Sequence, residues 1–151
     1  MTDAEAMAVA LEEAAAASVA GDVPVGAVVL GPDGRLLARR HNEREVAGDP
    51  TAHAEVLALR DAAAVVGSWR LAGATVVATL EPCPMCAGAL LGARVARLVF
   101  GAADPKAGAC GSLYNLCADP RLNHEIEVEA GVEAAACGEI LTAFFATRRL
   151  R

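Results

Sequence analysis

Two short segments of this chain of 151 residues hold the side-chain types that bind a transition metal. Cys83 and Cys86 fall in a predicted first helical turn, where they would share one helix face and where unpaired backbone N–H groups favour thiolates. His53 offers a third ligand from an earlier segment. Two thiolates and a neutral imidazole balance the charge of Zn²⁺ and leave its fourth position open, as in a catalytic zinc site. A water molecule there has a pKa of roughly 7 and is a nucleophile at neutral pH.

Glu55 is the candidate for proton transfer in the same site. Hydrolytic replacement of an amine on an aromatic ring requires a group that carries protons to a ring nitrogen and to the leaving amine. Residues two apart on a regular helix point about 200° apart, because the helix has about 3.6 residues per turn. His53 and Glu55 can therefore serve one site only at a helix start, where side chains lean back toward the N-terminus. Thr51 is predicted to be the N-cap that places them there.

Each motif also has an ordinary explanation when it is taken alone. A Cys-x-x-Cys pair can be a redox pair or half of a structural zinc site, and a His-x-Glu pair carries little information. The two motifs together favour a catalytic metal site. The remaining cysteines are predicted to be packing or loop residues, and the remaining histidines to be surface or hydrogen-bonding residues: Cys110, Cys117, Cys137, His41 and His124.

The elements that must position these residues alternate between helices and strands. Capping residues, hydrophobic periodicity and glycine or proline breaks predict helices at 3–21, 52–66, 84–93 and 133–149, strands at 23–30, 35–41, 74–79, 95–100 and 126–129, and loops at 42–50 and 101–111. Such alternation predicts one α/β domain over residues 1–151, with a parallel or mixed sheet covered by helices.

The composition limits the classes of function. Hydrophobic residues make up 55% of the chain and aromatic residues 3%, so the core is expected to be aliphatic. The charge-free stretches are too short for a membrane span and the N-terminus is acidic rather than basic, so we expect a cytoplasmic protein with free thiols. A net charge of −6 argues against generic nucleic-acid binding. Arg148, Arg149 and Arg151 are the best candidates for a polyanion contact, although cations at a helix C-terminus explain them equally well.

The joint pattern of His-x-Glu followed by Pro-Cys-x-x-Cys resembles the signature of the zinc nucleobase deaminase superfamily. Further stretches are similar to the bacterial tRNA-specific adenosine deaminases (the TadA family), and the similarity extends over nearly the whole chain: 23–28, 49–55, 80–89, 99–102, 104, 106, 111–113, 123–124, 144–145 and 148–149.

The resemblance implies a three-layer α/β/α cytidine-deaminase-like fold with a mixed five-stranded sheet, one Zn²⁺ per subunit and a homodimer. It implies conversion of adenosine to inosine at the wobble position of a tRNA anticodon loop, in particular that of an arginine tRNA. It assigns zinc binding to His53, Cys83 and Cys86 and proton transfer to Glu55. It assigns substrate contact to a further set of residues: Asn42, Ala54, Pro82, Asp104, Lys106, Phe145 and Arg149.

Two alternatives stay open at this point. The same zinc site would serve a deaminase of a free nucleobase or nucleoside, such as guanine or cytosine. A non-catalytic RNA-binding zinc module is an alternative of another class, and Glu55 discriminates against it because a scaffold has no need of a proton carrier.

Overall fold

The computed structural model describes residues 1–149, except for the side chain of Arg149. Its helices are α1 (Asp3–Val19), α2 (Arg44–Ala47), α3 (Ala54–Val66), α4 (Pro84–Ala93) and α5 (Ala134–Arg149). Its strands are β1 (Gly26–Leu30), β2 (Leu36–His41), β3 (Thr75–Leu80), β4 (Arg97–Ala102) and β5 (Glu127–Ala130). Within the described residues, no helix is both long enough and apolar enough to cross a membrane.

The five strands form one mixed sheet in the order β2-β1-β3-β4-β5. Strand β1 is antiparallel to β2 and to β3, whereas β3, β4 and β5 run parallel. A parallel pair needs a crossover connection, and α4 provides it between β3 and β4. The predicted mixed five-stranded sheet of an α/β fold is confirmed.

The sheet is the middle of three layers. Neighbouring strand residues point to opposite faces, so Val76 packs on the side of α3 and α4 while Val77 packs on the side of α1 and α5. Helix α1 is rich in alanine and therefore lies very close to β1. A Cβ atom at Gly26 would overlap the backbone of Ala10, so only glycine fits there. Both hydrophobic clusters are mainly aliphatic, as expected from the composition.

The first strand begins later than predicted. Residues 23–25 were expected to begin this strand, but the N–H of Val25 donates to the carbonyl of Val23 at 2.9 Å and Pro24 has no N–H to offer a partner strand. The strand therefore starts at Gly26. As a result Val23 and Val25 are free to form part of a cavity wall.

The predicted loop at 42–50 is also wrong in part, because it contains the short helix α2. The carboxylate of the buried Asp22 accepts hydrogen bonds from the N–H groups of Glu45 and Val46 at 2.9 and 3.0 Å. These donors lie in the first turn of α2, where a helix has no internal partners for them. A residue distant in sequence thus stabilises a helix that local signals do not indicate.

The predicted cap of α3 is wrong by two residues. The hydroxyl of Thr51 donates to the carboxylate of Asp49 at 2.8 Å and caps no helix. His53 has extended backbone angles, φ −75° and ψ 149°, and is the residue from which α3 begins. Cys83 is likewise the extended residue directly before α4, with φ −74° and ψ 174°. The prediction that Cys83 and Cys86 share one helix face is therefore wrong, because Cys83 precedes the helix.

Candidate active site

The candidate metal-ligating side chains come from the starts of two helices, α3 and α4. His53 and Cys83 each occupy the last extended residue before a helix. Because the side chain of His53 leaves an extended backbone, it does not diverge from Glu55 as two helical residues would, and the angular difficulty for this pair does not arise. Cys86 lies in the first turn of α4, one turn beyond Cys83.

The distances between these ligand atoms fit a tetrahedral zinc ion. Nδ1 of His53 lies 3.6 Å from Sγ of Cys83 and 3.4 Å from Sγ of Cys86, and all three atoms lie within 4.8 Å of one another. A tetrahedral ion with Zn–S bonds of about 2.3 Å and Zn–N bonds of about 2.0–2.1 Å separates sulfur from nitrogen by about 3.6 Å. In the described residues, this trio is the one group of at least three His, Cys, Asp or Glu side chains that could hold a metal ion.

The protonation of the trio depends on the contacts between its members. A hydrogen bond from the Cys86 thiol, together with the contact to His53, lowers the pKa of Cys83 to about 4. The negative charge on Cys83, to which Cys86 donates, and burial raise the pKa of Cys86, and the contact with Cys83 raises the pKa of His53. A divalent cation at this point would displace the protons from Cys86 and His53.

A cavity of about 180 Å³ lies beside this trio. Its first wall is the start of α3, with His53, Ala54 and Glu55. Glu55 is 4% exposed, and burial raises the pKa of its carboxyl group above the ordinary value. A buried carboxyl group with a raised pKa is suited to take up and release a proton near neutral pH.

The other walls come from three more segments of the chain. The end of β3 and the residues that follow it contribute Leu80, Glu81 and Cys83. The residues before β1 and after β2 contribute Val23, Val25, Asn42 and Arg44, and the loop after β4 contributes Asp104 and Ala107. The cavity therefore lies between the start of α3 and the segments that follow β2, β3 and β4.

Three residues expected to contact substrate line this cavity: Asn42, Ala54 and Asp104. The side chain of Asn42 is held by the structure, because its Nδ2 donates to the carbonyl of Val23 at 3.2 Å and its Oδ1 accepts from the N–H of Arg44 at 3.1 Å. Asp104 closes a turn in its loop, since its Oδ1 accepts from the N–H groups of the residues two and three positions further on, at 3.0 and 3.2 Å.

Three of the four remaining residues expected to contact substrate do not line the cavity. The carbonyl of Pro82 accepts from the N–H of Ala109 at 2.9 Å, and Lys106 is exposed in the loop after β4. Phe145 is 42% exposed on α5 and meets Phe144 edge to face, with ring centroids 5.4 Å apart. None of Pro82, Lys106 and Phe145 is among the described residues that line the cavity.

The basic tail is described only in part. Arg148 donates to the backbone carbonyl of Gly21 and lies over the ring of Phe144, with its guanidinium carbon 4.6 Å from the ring centroid. This packing ties α5 to the end of α1. The side chain of Arg149 and all of Arg151 lie outside the described residues.

The cysteines and histidines set aside in the sequence have the environments expected of them. Cys110, Cys117 and Cys137 are buried free thiols, and Nδ1 of His41 lies 2.8 Å from the carboxylate of Glu13. His124 contacts the carbonyl of Val95 through Nε2 at 2.7 Å.

Sequence reasoning missed Glu81, which is 2% exposed and lines the cavity. Burial by itself would raise the pKa of this carboxyl group, but hydrogen bonds from Ser112 and from the backbone of Asp104 and Cys110 outweigh that effect and lower it. An acidic residue at the end of an apolar strand, directly before the Pro-Cys pair, is a signal for a residue near the site, but it does not indicate which loop residues bind its carboxylate.

Sequence comparison places the chain among deaminases. The profile of the MafB19-like deaminase family matches residues 1–149. A tRNA-specific adenosine deaminase of Bacillus subtilis is 50% identical over 142 residues, which cover 94% of this chain and 86% of the relative. The tRNA-specific adenosine deaminase of Haemophilus influenzae is 46% identical over 147 residues, which cover 97% of this chain and 85% of that protein.

Comparison of structures agrees with the sequence comparison. A solved structure from studies of A-to-I editing by tRNA:A34 deaminases at the wobble position superposes with a TM-score of 0.87 at 42% identity, covering 91% of this chain and 99% of that chain. A guanine deaminase from Nitrosomonas europaea superposes with a TM-score of 0.82 at 26% identity, covering 95% and 84%. This chain belongs to the MafB19-like deaminase family and to the tRNA-specific adenosine deaminases.

Proposed function

We propose that this chain is a zinc-dependent hydrolase that converts adenosine to inosine at the wobble position of a tRNA anticodon loop. An arginine tRNA is the substrate that the sequence resemblance implies. The observation that carries the proposal is the buried carboxyl group of Glu55, which shares a cavity wall with a three-atom metal site. A scaffold that only binds RNA has no use for a buried acid in that place, and hydrolytic deamination requires one.

His53, Cys83 and Cys86 would hold the zinc ion, with the ligand separations described above. When bound there, zinc supplies the activation of a water molecule for attack on the ring carbon that carries the amine. Glu55 would take one proton of the attacking water and pass it to the ring nitrogen. It would then take the proton that remains on the added hydroxyl group and pass it to the amine, which leaves as ammonia while the ring carbon keeps the oxygen as a carbonyl. The raised pKa of Glu55 supports this role, because a proton carrier works best when its pKa is near the working pH.

The cavity accepts one base rather than a folded RNA. An adenine in an anticodon loop must therefore turn out of its stack to reach the site, as bases do in nucleobase deaminases. We propose that Asn42, Ala54 and Asp104, which line the cavity, border the base, together with backbone near Pro82. Lys106 and Phe145 are exposed outside the cavity, which suits contact with a phosphate and stacking on a flanking base. Arg149, whose side chain lies outside the described residues, is included in this proposal because the sequence resemblance implies it.

We propose that the protein acts as a homodimer, as the resemblance implies. The outer faces of α3 and α4 support this, because they form an apolar groove that includes Leu59, Ala89 and Ala93 beside Trp69, whose exposed fraction is 63%. Sedimentation equilibrium tests the assembly, and a monomer at micromolar concentration would contradict it. A cytoplasmic location is the prediction that accompanies a tRNA substrate.

The substrate is tested by incubating the zinc-loaded protein with an anticodon stem-loop that carries A at the wobble position. Inosine detected by nuclease digestion and mass spectrometry is the expected result. A stem-loop with its only loop adenosine at another position is the matched control and should remain unchanged. Turnover of guanine or cytosine without inosine in the stem-loop would reject the proposal in favour of a free-base deaminase.

A further inference from the structure

The carboxyl group of Glu81 has no part in metal binding or proton transfer, yet it is almost fully buried beside the site. It directly follows β3 and stands two residues before the metal ligand Cys83. Burial of a carboxylate is costly unless hydrogen bonds replace the lost water. Its partners are therefore informative about its role.

Within the part of the chain that the structure describes, all the hydrogen bonds to this carboxylate come from one loop, residues 104–112. Oε1 accepts from the N–H of Asp104 at 3.0 Å, and Oε2 accepts from the N–H groups of Cys110 and Ser112 at 3.1 and 3.0 Å. The hydroxyl of Ser112 also donates to Oε1. One side chain thus holds both ends of a loop that contains no helix or strand.

The middle of the same loop closes around the carboxylate. Gly108 lies against it so closely that a Cβ atom at this position would overlap the carboxylate. The N–H of Gly108 donates to the carbonyl of Asp104 at 2.9 Å, and the N–H of Ala109 donates to the carbonyl of Pro82 at 2.9 Å. The loop is thereby anchored to the same short segment that carries the metal ligand Cys83.

We propose that Glu81 is a positioning residue, whose carboxylate holds the 104–112 loop in place as the substrate-facing wall of the cavity. Asp104 and Ala107 line the cavity from this loop, so release of the loop changes the shape that meets the base. The effect on substrate binding rests on the proposed function, whereas the effect on the loop does not depend on it.

Replacement of Glu81 by glutamine separates substrate binding from metal binding, because it disturbs the loop and leaves the candidate metal ligands unchanged. A glutamine amide keeps one acceptor but turns an NH₂ group toward backbone N–H donors, which cannot pair with it. Glu81→Gln is expected to raise KM for the stem-loop roughly tenfold or more, as for loss of a hydrogen bond to a charged group, with a smaller change in kcat. Zinc content is expected to remain that of the unchanged protein.

The loop itself is monitored without any activity measurement. Lys106 is the single lysine of the chain, so a lysine-specific protease cuts the native protein only inside this loop. Cleavage of Glu81→Gln is expected to be roughly tenfold faster than that of the unchanged protein, because cleavage follows the population of the opened loop. Ser112→Ala removes the hydroxyl donor but keeps the backbone donors, so its cleavage rate should lie between the two.

Gly108→Ala provides an independent variant if Glu81→Gln does not fold. Its added methyl group would overlap the carboxylate of Glu81 and push the loop away from it, while Glu81 itself stays unchanged. Unchanged cleavage rates in the folded variants would overturn the proposal, as would faster cleavage with an unchanged KM. If the unchanged protein produces no inosine, the proposed function fails, and the cleavage rates still decide whether Glu81 holds the loop.

Discussion

The cavity is bounded by two regions that are held in place by different means. On the chemical side, His53, Glu55 and the two cysteines stand at the starts of α3 and α4, and these helices are packed on the sheet. On the opposite side, the 104–112 loop is held by hydrogen bonds to the side chain of Glu81 and to the carbonyl of Pro82. Variants of the chemical side should lower metal content or kcat, and variants of the loop should raise KM.

The largest effect is expected from Cys83→Ala. This variant retains two of the three ligands and loses the thiol with the lowered pKa, so zinc stoichiometry should fall well below one per chain and deamination should cease. Metal analysis of the purified protein measures this. Cys137→Ala is the matched control, because Cys137 is buried among α1, β4 and α5 on the other side of the sheet, and it should keep its zinc. Full zinc occupancy in the Cys83→Ala variant would show that Cys83 is not a zinc ligand.

The second effect separates proton transfer from metal binding. Glu55→Gln keeps the shape of the side chain but cannot carry a proton, so kcat should fall by roughly 10²–10⁴. Zinc content and KM for the stem-loop should stay near those of the unchanged protein. Single-turnover assays with saturating enzyme measure the chemical step. A loss of less than about tenfold would mean that another group carries the proton.

The chemical side was largely predictable from the sequence because its information is local. The His-x-Glu and Cys-x-x-Cys spacings, with Pro84 suited to the first helical position, indicated both helix starts and the residues that meet there. The errors lay in the cap of α3 and in the helix face that Cys83 and Cys86 were expected to share. Thr51 has a side chain that caps helices, but Asp49 is close enough to take its hydroxyl, and local propensity does not decide between these partners.

The opposite side was not predictable, because its interactions connect residues distant in sequence. Glu81 binds N–H groups 23 to 31 residues away, and the helix α2 depends on Asp22, more than 20 residues before it. Neither pairing leaves a periodicity or a motif that can be recognised in a single sequence. The family resemblance indicated Asp104 in this loop, but the residue that holds the loop emerged only from the fold.

The smallest effect tests the loop through a residue that touches the cavity. The carboxylate of Asp104 closes a turn by accepting from two N–H groups, one of them that of Lys106. Asp104→Ala removes these bonds and leaves the anchoring by Glu81, since that anchor uses the backbone N–H of residue 104. KM for the stem-loop is expected to rise roughly three- to tenfold, as for the loss of ordinary hydrogen bonds, with unchanged kcat and zinc content.

Asp119→Ala is the matched control for this variant. Asp119 makes the same kind of turn, accepting from the N–H of Arg121 at 3.0 Å, but it is not among the described residues that line the cavity. Its KM should equal that of the unchanged protein. If both variants raised KM equally, the effect would reflect general loosening of loops rather than the substrate-facing wall. If Asp104→Ala lowered kcat and left KM unchanged, the division of the cavity into a chemical side and a binding side would fail, because a loop residue would then act on the reaction itself.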